Sequence, residues 1–347
     1  MTAERKLFTR RYIFVLIATL IAVVCFFVFR PKPVKTFTLS GVVWTTDYHI
    51  TYQGHEDLND SVQAIFNAVD ASASVYNKQS LITAINDNRE QTVDPCLEQL
   101  YKASLAVHKA SGKRFDPTVM PLVNAWGFGF KSGKMPNDAQ IDSILQFVGL
   151  GKTHLSGNKL TKDDPRTQFD FSSIAKGYAC DLVGLMLQRH GVTNYMVEIG
   201  GEVVVHGKSM RGGNWNISVD MPVADPNGTS HEAALTLSLT DAAVATSGNY
   251  RKFKEVDGKR ISHIVNPLTG KSEQSSLLSV TIVAPDCMTA DAWATACMVM
   301  GTEQVKQQFE QEKKMGVMTI SSTPTGNYEV WSNAAFAALV QQNAQSK

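Results

Sequence analysis

Gln168-Phe-Asp-Phe-Ser-Ser-Ile-Ala-Lys-Gly-Tyr-Ala-Cys-Asp181 is the stretch on which the fold turns. It reads as a short apolar strand that ends at Asp170 and turns through Ser172 and Ser173 into a helix with Lys176 in its first turn. A carboxylate, two hydroxyls, helix-start N–H groups and an ammonium then converge on one point. That combination suits a phosphorylated or diphosphate ligand, because a helix N-terminus favours anions and lysine adds a full positive charge. An Asp/Ser-capped helix with a surface lysine accounts for the same residues without a ligand.

On the N-terminal side, Phe37–Val43 and Tyr48–Tyr52 read as strands flanking a turn at Thr45-Thr46-Asp47. Helical periodicity follows over Leu58–Val75, Ser80–Asn86 and Asp94–Ala110, the last closed at Ser111-Gly112. Asp138–Val148 is a short helix ended by Gly149. On the C-terminal side, the helix Ser173–His190 is followed by strands at Tyr195–Ile199 and Glu202–His206, broken by Gly200-Gly201, which admits either a close backbone approach to a ligand or a bulge. Trp215–Val219 and Ala234–Leu239 alternate as antiparallel strands, Ala242–Thr246 is a further strand and Leu277–Ala284 an apolar one. Helices at Thr289–Met300 and Glu303–Gln311 precede a hairpin of Val317–Ser321 and Tyr328–Trp331. Helices and antiparallel strands interleave without regular βαβ alternation, so the class is α+β.

The chain has 347 residues, 44% hydrophobic and 19% charged, as a folded globular protein requires. Of 33 Lys and Arg and 32 Asp and Glu, six basic and one acidic lie in residues 1–32, which leaves 27 and 31, a net charge of −4 on the rest. A body of that charge has no electrostatic footprint for nucleic acid. The basic residues flank Tyr12–Phe29, eighteen residues without a charge, long enough to cross a bilayer. Residues 1–11 are therefore expected to be a cytoplasmic basic segment, 12–29 a transmembrane anchor, 30–36 a linker and 37–340 one extracytoplasmic domain held at the inner membrane. A cleaved signal peptide and a lipoprotein modified at Cys25 are the alternatives. Cys96, Cys180, Cys287 and Cys297 lack zinc spacing and read as buried thiols.

Thr289-Ala-Asp-Ala-Trp-Ala-Thr-Ala296 is the second chemical element. Asp291 and Thr295 lie four apart and share a helix side; with Thr289 as N-cap, Asp291 falls in the first turn. A carboxylate and a hydroxyl are hard ligands of the kind Mg2+ takes when substrate phosphates complete its shell. His263 stands at a strand end before a Pro/Gly turn, placed for a general base or for a structural role.

These elements together resemble the ApbE family, the FAD:protein FMN transferases. Further runs carry the resemblance in consistent order: Trp44-Thr-Thr-Asp-Tyr-His-Ile50, Ser74-Val-Tyr-Asn-Lys-Gln-Ser80, Phe115-Asp-Pro-Thr-Val119, Leu122-Val-Asn-Ala-Trp-Gly127, Glu198-Ile-Gly-Gly-Glu202, Ala245-Thr-Ser-Gly-Asn-Tyr250 and Ser262-His-Ile-Val-Asn-Pro-Leu-Thr-Gly270. The resemblance implies an ApbE-like, T-fold-related domain of mixed, largely antiparallel sheets with packed helices. It implies FAD as substrate, Mg2+ as cofactor, and transfer of FMN to a Thr or Ser hydroxyl of an acceptor flavoprotein with release of AMP. Carried over by position, Mg2+ is expected on the Ser173 carbonyl, Asp291 and Thr295. FAD is expected against Trp44, Asp116, Pro117, Thr118, Asp170, Lys176 and the backbone near Val265 and Ala294, with Tyr76 or Asn77 closing the pocket. His263 matches the catalytic base, and Lys176 offsets negative charge.

Trp44-Thr45-Thr46 stands where the family usually has Met-Gly-Thr, and Trp293 where a smaller aliphatic residue is common. The chain has no Ser/Thr-Gly-Ala-Thr/Ser stretch of its own, so action in trans is expected, on an Rnf- or Nqr-type subunit or a secreted reductase. The competing readings are an Mg2+-dependent FAD pyrophosphatase and a periplasmic FAD-binding protein without catalysis.

Overall fold

Side chains that alternate along each strand give the central sheet two covered faces. The computed structural model describes residues 12–21, 33–129, 135–222, 232–249, 253–256, 259–272 and 275–341. Eight strands form one antiparallel sheet: β1 (Lys35–Val43), β2 (Thr46–Gly54), β5 (Tyr195–Ile199), β6 (Glu202–His206), β9 (Ala242–Gly248), β12 (Leu277–Ala284), β13 (Gly316–Ser322) and β14 (Tyr328–Ser332), in that spatial order. The hairpins β3 (Thr153–Ser156) with β4 (Lys159–Lys162), β7 (Trp215–Asp220) with β8 (Ala233–Leu239), and β10 (Phe253–Val256) with β11 (Lys259–Ser262) stand apart from it.

In β6, Val204 packs into one core while Val203 and Val205 pack into another; in β9, Ala243 and Ala245 are separated in the same way from Val244. One face carries the helices α2 (Asn59–Ala73), α3 (Leu81–Asn86), α4 (Pro95–Ala110), α7 (Ala175–Arg189) and α8 (Cys287–Met300), with α9 (Thr302–Phe309) beyond them. The other face is covered by β7, β8 and the short helix α10 (Ala334–Ala337). A satellite core joins α5 (Met120–Ala125) and α6 (Asp138–Leu145) to Val265.

Local signals place several helix ends. Asp94 caps α4 by accepting from the Leu97 N–H, with Pro95 at the first helical position, and Ser80 caps α3 through the Thr83 N–H. Asn137 and Gln140 form a reciprocal capping box on α6. The expected Gly200-Gly201 break is a two-residue hairpin turn, with φ of 63° and 97°, rather than a bulge. The fold begins at Lys35, inside the expected linker. Residues 12–21 form an exposed helix, α1, while 1–11 and 22–32 lie outside the described residues. Among the described residues no helix is long and apolar enough to cross a membrane.

Helix α8 is nearly engulfed, with eleven of its fourteen residues buried, and its alanines let it lie close on the sheet. It meets α7 at Gly177, where a Cβ would stand 2.3 Å from the Cys287 carbonyl oxygen and 2.9 Å from the Asp291 Cβ. Gly177→Ala therefore has to push two buried helices apart. We expect it to cost about 1–3 kcal/mol, read as a lower denaturant midpoint; an unchanged midpoint contradicts this packing.

Candidate active site

The turn into α7 is fixed from behind by two stacked, buried rings, Phe169 and Phe171, 5.7 Å apart. The expected strand before Asp170 is reduced to one bridge, Gln168 to Val119. The reason is a side chain: the Asn86 amide donates to the Phe169 carbonyl (2.8 Å) and accepts its N–H (2.7 Å), taking both bonds a neighbouring strand would make. Asp170 Oδ1 then accepts the Ser172 N–H at 2.9 Å, and the Ala175 N–H returns to the Phe171 carbonyl at the same distance. Helix α7 thus begins at Ala175, two residues later than the sequence reading, with Lys176 in its first turn as expected.

Lys176 reaches inward. Its Nζ lies 2.5 Å from Glu202 Oε2, and Glu202 is 3% exposed. Glu202 points here because it shares the helix-covered face of β6 with Val204. Asp291, 4% exposed, approaches from α8 and accepts the Gly177 N–H at 3.1 Å. One ammonium therefore sits among two buried carboxylates. Burial raises the Glu202 carboxyl, Lys176 opposes that rise, and the Asp291 charge adds to it. Burial likewise raises Asp291 against the pull of Lys176 and the Gly177 N–H. Burial works against the Lys176 charge, but Glu202 and Asp291 outweigh it and hold the ammonium above its ordinary value.

The Gly177 N–H bonds Asp291 instead of the Ser173 carbonyl four residues back, so among the described residues that carbonyl lacks the helical bond it would otherwise accept. A freed carbonyl, the Asp291 carboxylate and the Thr295 hydroxyl (3.3 Å from Ser247 Oγ) are an all-oxygen donor set. Among the described residues no cluster of three or more His, Cys, Asp and Glu is placed to hold a metal. With a single carboxylate, this set suits a hard divalent cation that keeps water and substrate oxygens in its shell.

The start of α8 differs from the expectation. Asp286, not Thr289, is the N-cap, accepting the Thr289 N–H at 2.8 Å, so Asp291 lies in the second turn. Asp181 of α7 accepts the Cys287 and Met288 N–H groups, each at 2.8 Å. Burial pushes its carboxyl up to about 7 against those two bonds, and Asp286 and Asp291 add to the rise.

The remaining expected residues lie on other turns, loops and helix positions. Trp44 and Thr45 form a two-residue turn with positive φ (49° and 64°), strained for residues with side chains. The Trp44 ring meets Phe66 edge-on at 5.7 Å. This tip abuts the turn before Glu202, since the Gly200 N–H donates to the Asp47 carbonyl (2.9 Å) and a Cβ on Gly200 would strike Thr46. Pro117 offers its carbonyl to the Asp170 N–H at 2.7 Å. Tyr76 is 71% exposed; partial burial and then the Asp170 charge raise its phenol.

Three expected contact residues are already committed. Asp116 accepts from the Thr118 N–H and hydroxyl and from the Leu150 N–H, and the Thr118 hydroxyl accepts the Gly149 N–H. Asn77 ties its turn to both flanking helices, donating to Asp70 of α2 and accepting the Thr83 hydroxyl of α3, besides the Gln79 and Ser80 N–H groups. The His263 ring faces Phe128 at 6.4 Å, on a loop held by Val265 in the satellite core and by Trp126 Nε1 donating to the Gly270 carbonyl (2.8 Å). Ala294 is buried in α8, and Trp293 turns into the core against Phe309 at 5.1 Å. Glu202 was not singled out from the sequence. The available signal was a carboxylate that alternation puts on the face shared with Val204.

Residues 44–319 match the ApbE family. The chain is 32% identical over 322 residues to the FAD:protein FMN transferase of Vibrio cholerae, covering 90% of this chain and 95% of that protein. It is 32% identical over 329 residues to the FAD:protein FMN transferase of Haemophilus influenzae, covering 89% and 93%. Among solved structures, the flavin transferase ApbE from Vibrio cholerae superposes with a TM-score of 0.79 at 31% identity, over 88% of this chain and 100% of that one. The apo flavinyl transferase ApbE of Pseudomonas stutzeri gives 0.78 at 29% identity, over 88% and 97%.

Because its folded value is raised, Asp181 contributes stability that is full below the unfolded pKa of about 4 and is lost as the pH rises through about 7. Asp181→Asn should flatten that loss, measured as urea midpoints of both proteins at about pH 5 and about pH 8. Equal slopes in the two proteins contradict the assignment.

Proposed function

The chain belongs to the ApbE family, and from that premise we propose that it is an FAD:protein FMN transferase, moving the FMN half of FAD onto a protein hydroxyl and releasing AMP. One observation carries the site: the start of α7 and the buried face of α8 meet at Asp291, through the Gly177 N–H. Mg2+ would be held by the Ser173 carbonyl, Asp291 and Thr295, and when bound it supplies charge neutralisation at the diphosphate. The FAD would lie between the Trp44 turn, Tyr76, the backbone of Asp116–Thr118, Asp170 and the backbone near Val265 and Ala294.

Phosphoryl transfer of this kind depends on positioning and charge more than on covalent help. The acceptor Thr or Ser oxygen attacks the phosphorus of the FMN half. A new P–O bond forms as the bond to the bridging oxygen breaks, and AMP leaves with that oxygen. The hydroxyl proton passes to the His263 imidazole, whose loop is braced by Val265 and Trp126. Lys176 keeps a fixed positive charge beside the developing negative one. The acceptor is a separate flavoprotein, of the Rnf or Nqr type or a secreted reductase. The domain works on the periplasmic side of the inner membrane, anchored by residues 12–29.

Incubation with FAD, Mg2+ and an acceptor subunit, followed by intact mass, tests the reading. The acceptor should gain one FMN. Asp291→Ala and His263→Ala should each slow labelling by about 100-fold or more. Free FMN with an unlabelled acceptor contradicts transfer and makes the protein a hydrolase.

A further inference from the structure

Glu202 takes no part in the transfer step, yet its carboxylate is buried against the site. Oε2 has no hydrogen-bond partner of ordinary geometry and stands 2.5 Å from the Lys176 ammonium. Its own backbone is tied to α7, because the Cys180 thiol donates to the Glu202 carbonyl at 3.3 Å. Its backbone is further held by β6 pairing, with β5 at Glu202 itself and with β9 from Val203 onward.

Lys176 has two carboxylates in electrostatic range, and its ion pair is with Glu202, not with Asp291. The Lys176 side chain is one-third exposed, but its charged head lies in the field of both carboxylates, each of which favours its charge. Were Glu202 neutral, the partner left to Lys176 would be Asp291, the carboxylate proposed to take the cation. An ammonium on Asp291 would stand where the dication belongs and compete with it.

We propose that Glu202 is a positioning residue: it holds the Lys176 ammonium off Asp291 and so keeps that carboxylate available to a divalent cation. The proposal rests on the reading of Asp291 as the metal carboxylate. It assigns Glu202 no contact with cation, FAD or acceptor, and its effect runs through Lys176. It also explains why a lysine and a metal carboxylate sit together on adjoining helices without neutralising each other.

Mn2+ binding to the FAD-free full chain, followed by the electron paramagnetic resonance of free Mn2+, tests this without turnover, with a thermal melt of each variant alongside. Glu202→Gln should weaken Mn2+ binding about 10- to 100-fold, the range for groups that support a ligand. In a Lys176→Met background, adding Glu202→Gln should leave Mn2+ affinity unchanged within about threefold, since the ammonium it restrains is gone. That second comparison stands even if Glu202→Gln alone does not fold. Wild-type affinity in Glu202→Gln overturns the proposal, as does a tenfold or greater loss from Glu202→Gln on top of Lys176→Met, which would mean that Glu202 acts on the cation directly. Undiminished Mn2+ binding by Asp291→Ala overturns the metal reading itself, and the role of Glu202 with it.

Discussion

At Gly177 the backbones of α7 and α8 come so close that a single Cβ would overlap the Cys287 carbonyl. The approach brings together residues of two helices, Gly177 and Asp291, that stand more than a hundred positions apart in sequence. It diverts the Gly177 N–H from its helical acceptor to Asp291, which frees the Ser173 carbonyl and aims the carboxylate. It also brings Asp181 onto the first turn of α8, where the side chain of one helix satisfies the N–H groups of the other. The meeting of Asp291 with the start of α7 and the capping of α8 by Asp181 both follow from that one contact.

The cost of the arrangement is charge in a dry place. Asp291 and Glu202 are buried between α7, α8 and β6, and burial raises both carboxyls. Lys176 offsets part of that cost, and the fold supports the rest by covering both sheet faces so that β6 cannot shift. A cation and a diphosphate brought to this cluster would add charge of both signs, which is why an enzyme of the ApbE family tolerates so unbalanced a site before its substrate arrives.

Much of this was legible in sequence, and the exceptions have physical causes. Asp94-Pro95 and Ser80 mark helix starts because their signals are local, and Asp291 with Thr295 share a side because helical spacing is fixed. The strand expected before Asp170 fails because Asn86, more than eighty residues away, supplies its hydrogen bonds. Thr289 fails as the cap of α8 because Asp286, three residues earlier, accepts its N–H. Asp116 and Thr118 match the family's pattern, yet their side chains are spent on N–H groups near residue 150, which no local pattern reveals. Glu202 was hidden for the converse reason: its importance depends on what the opposite helices bring to it.

The central claim is that α7 and α8 jointly enclose one cation. It is tested most directly by crystals grown with Mn2+ and FAD, with the anomalous scattering of manganese locating the ion. The account predicts one strong peak shared by the Asp291 carboxylate, the Thr295 hydroxyl and the Ser173 carbonyl, at oxygen–metal distances of about 2.0–2.3 Å. A peak held by other residues, with Asp291 still bonded only to Gly177 and facing Lys176, would contradict it.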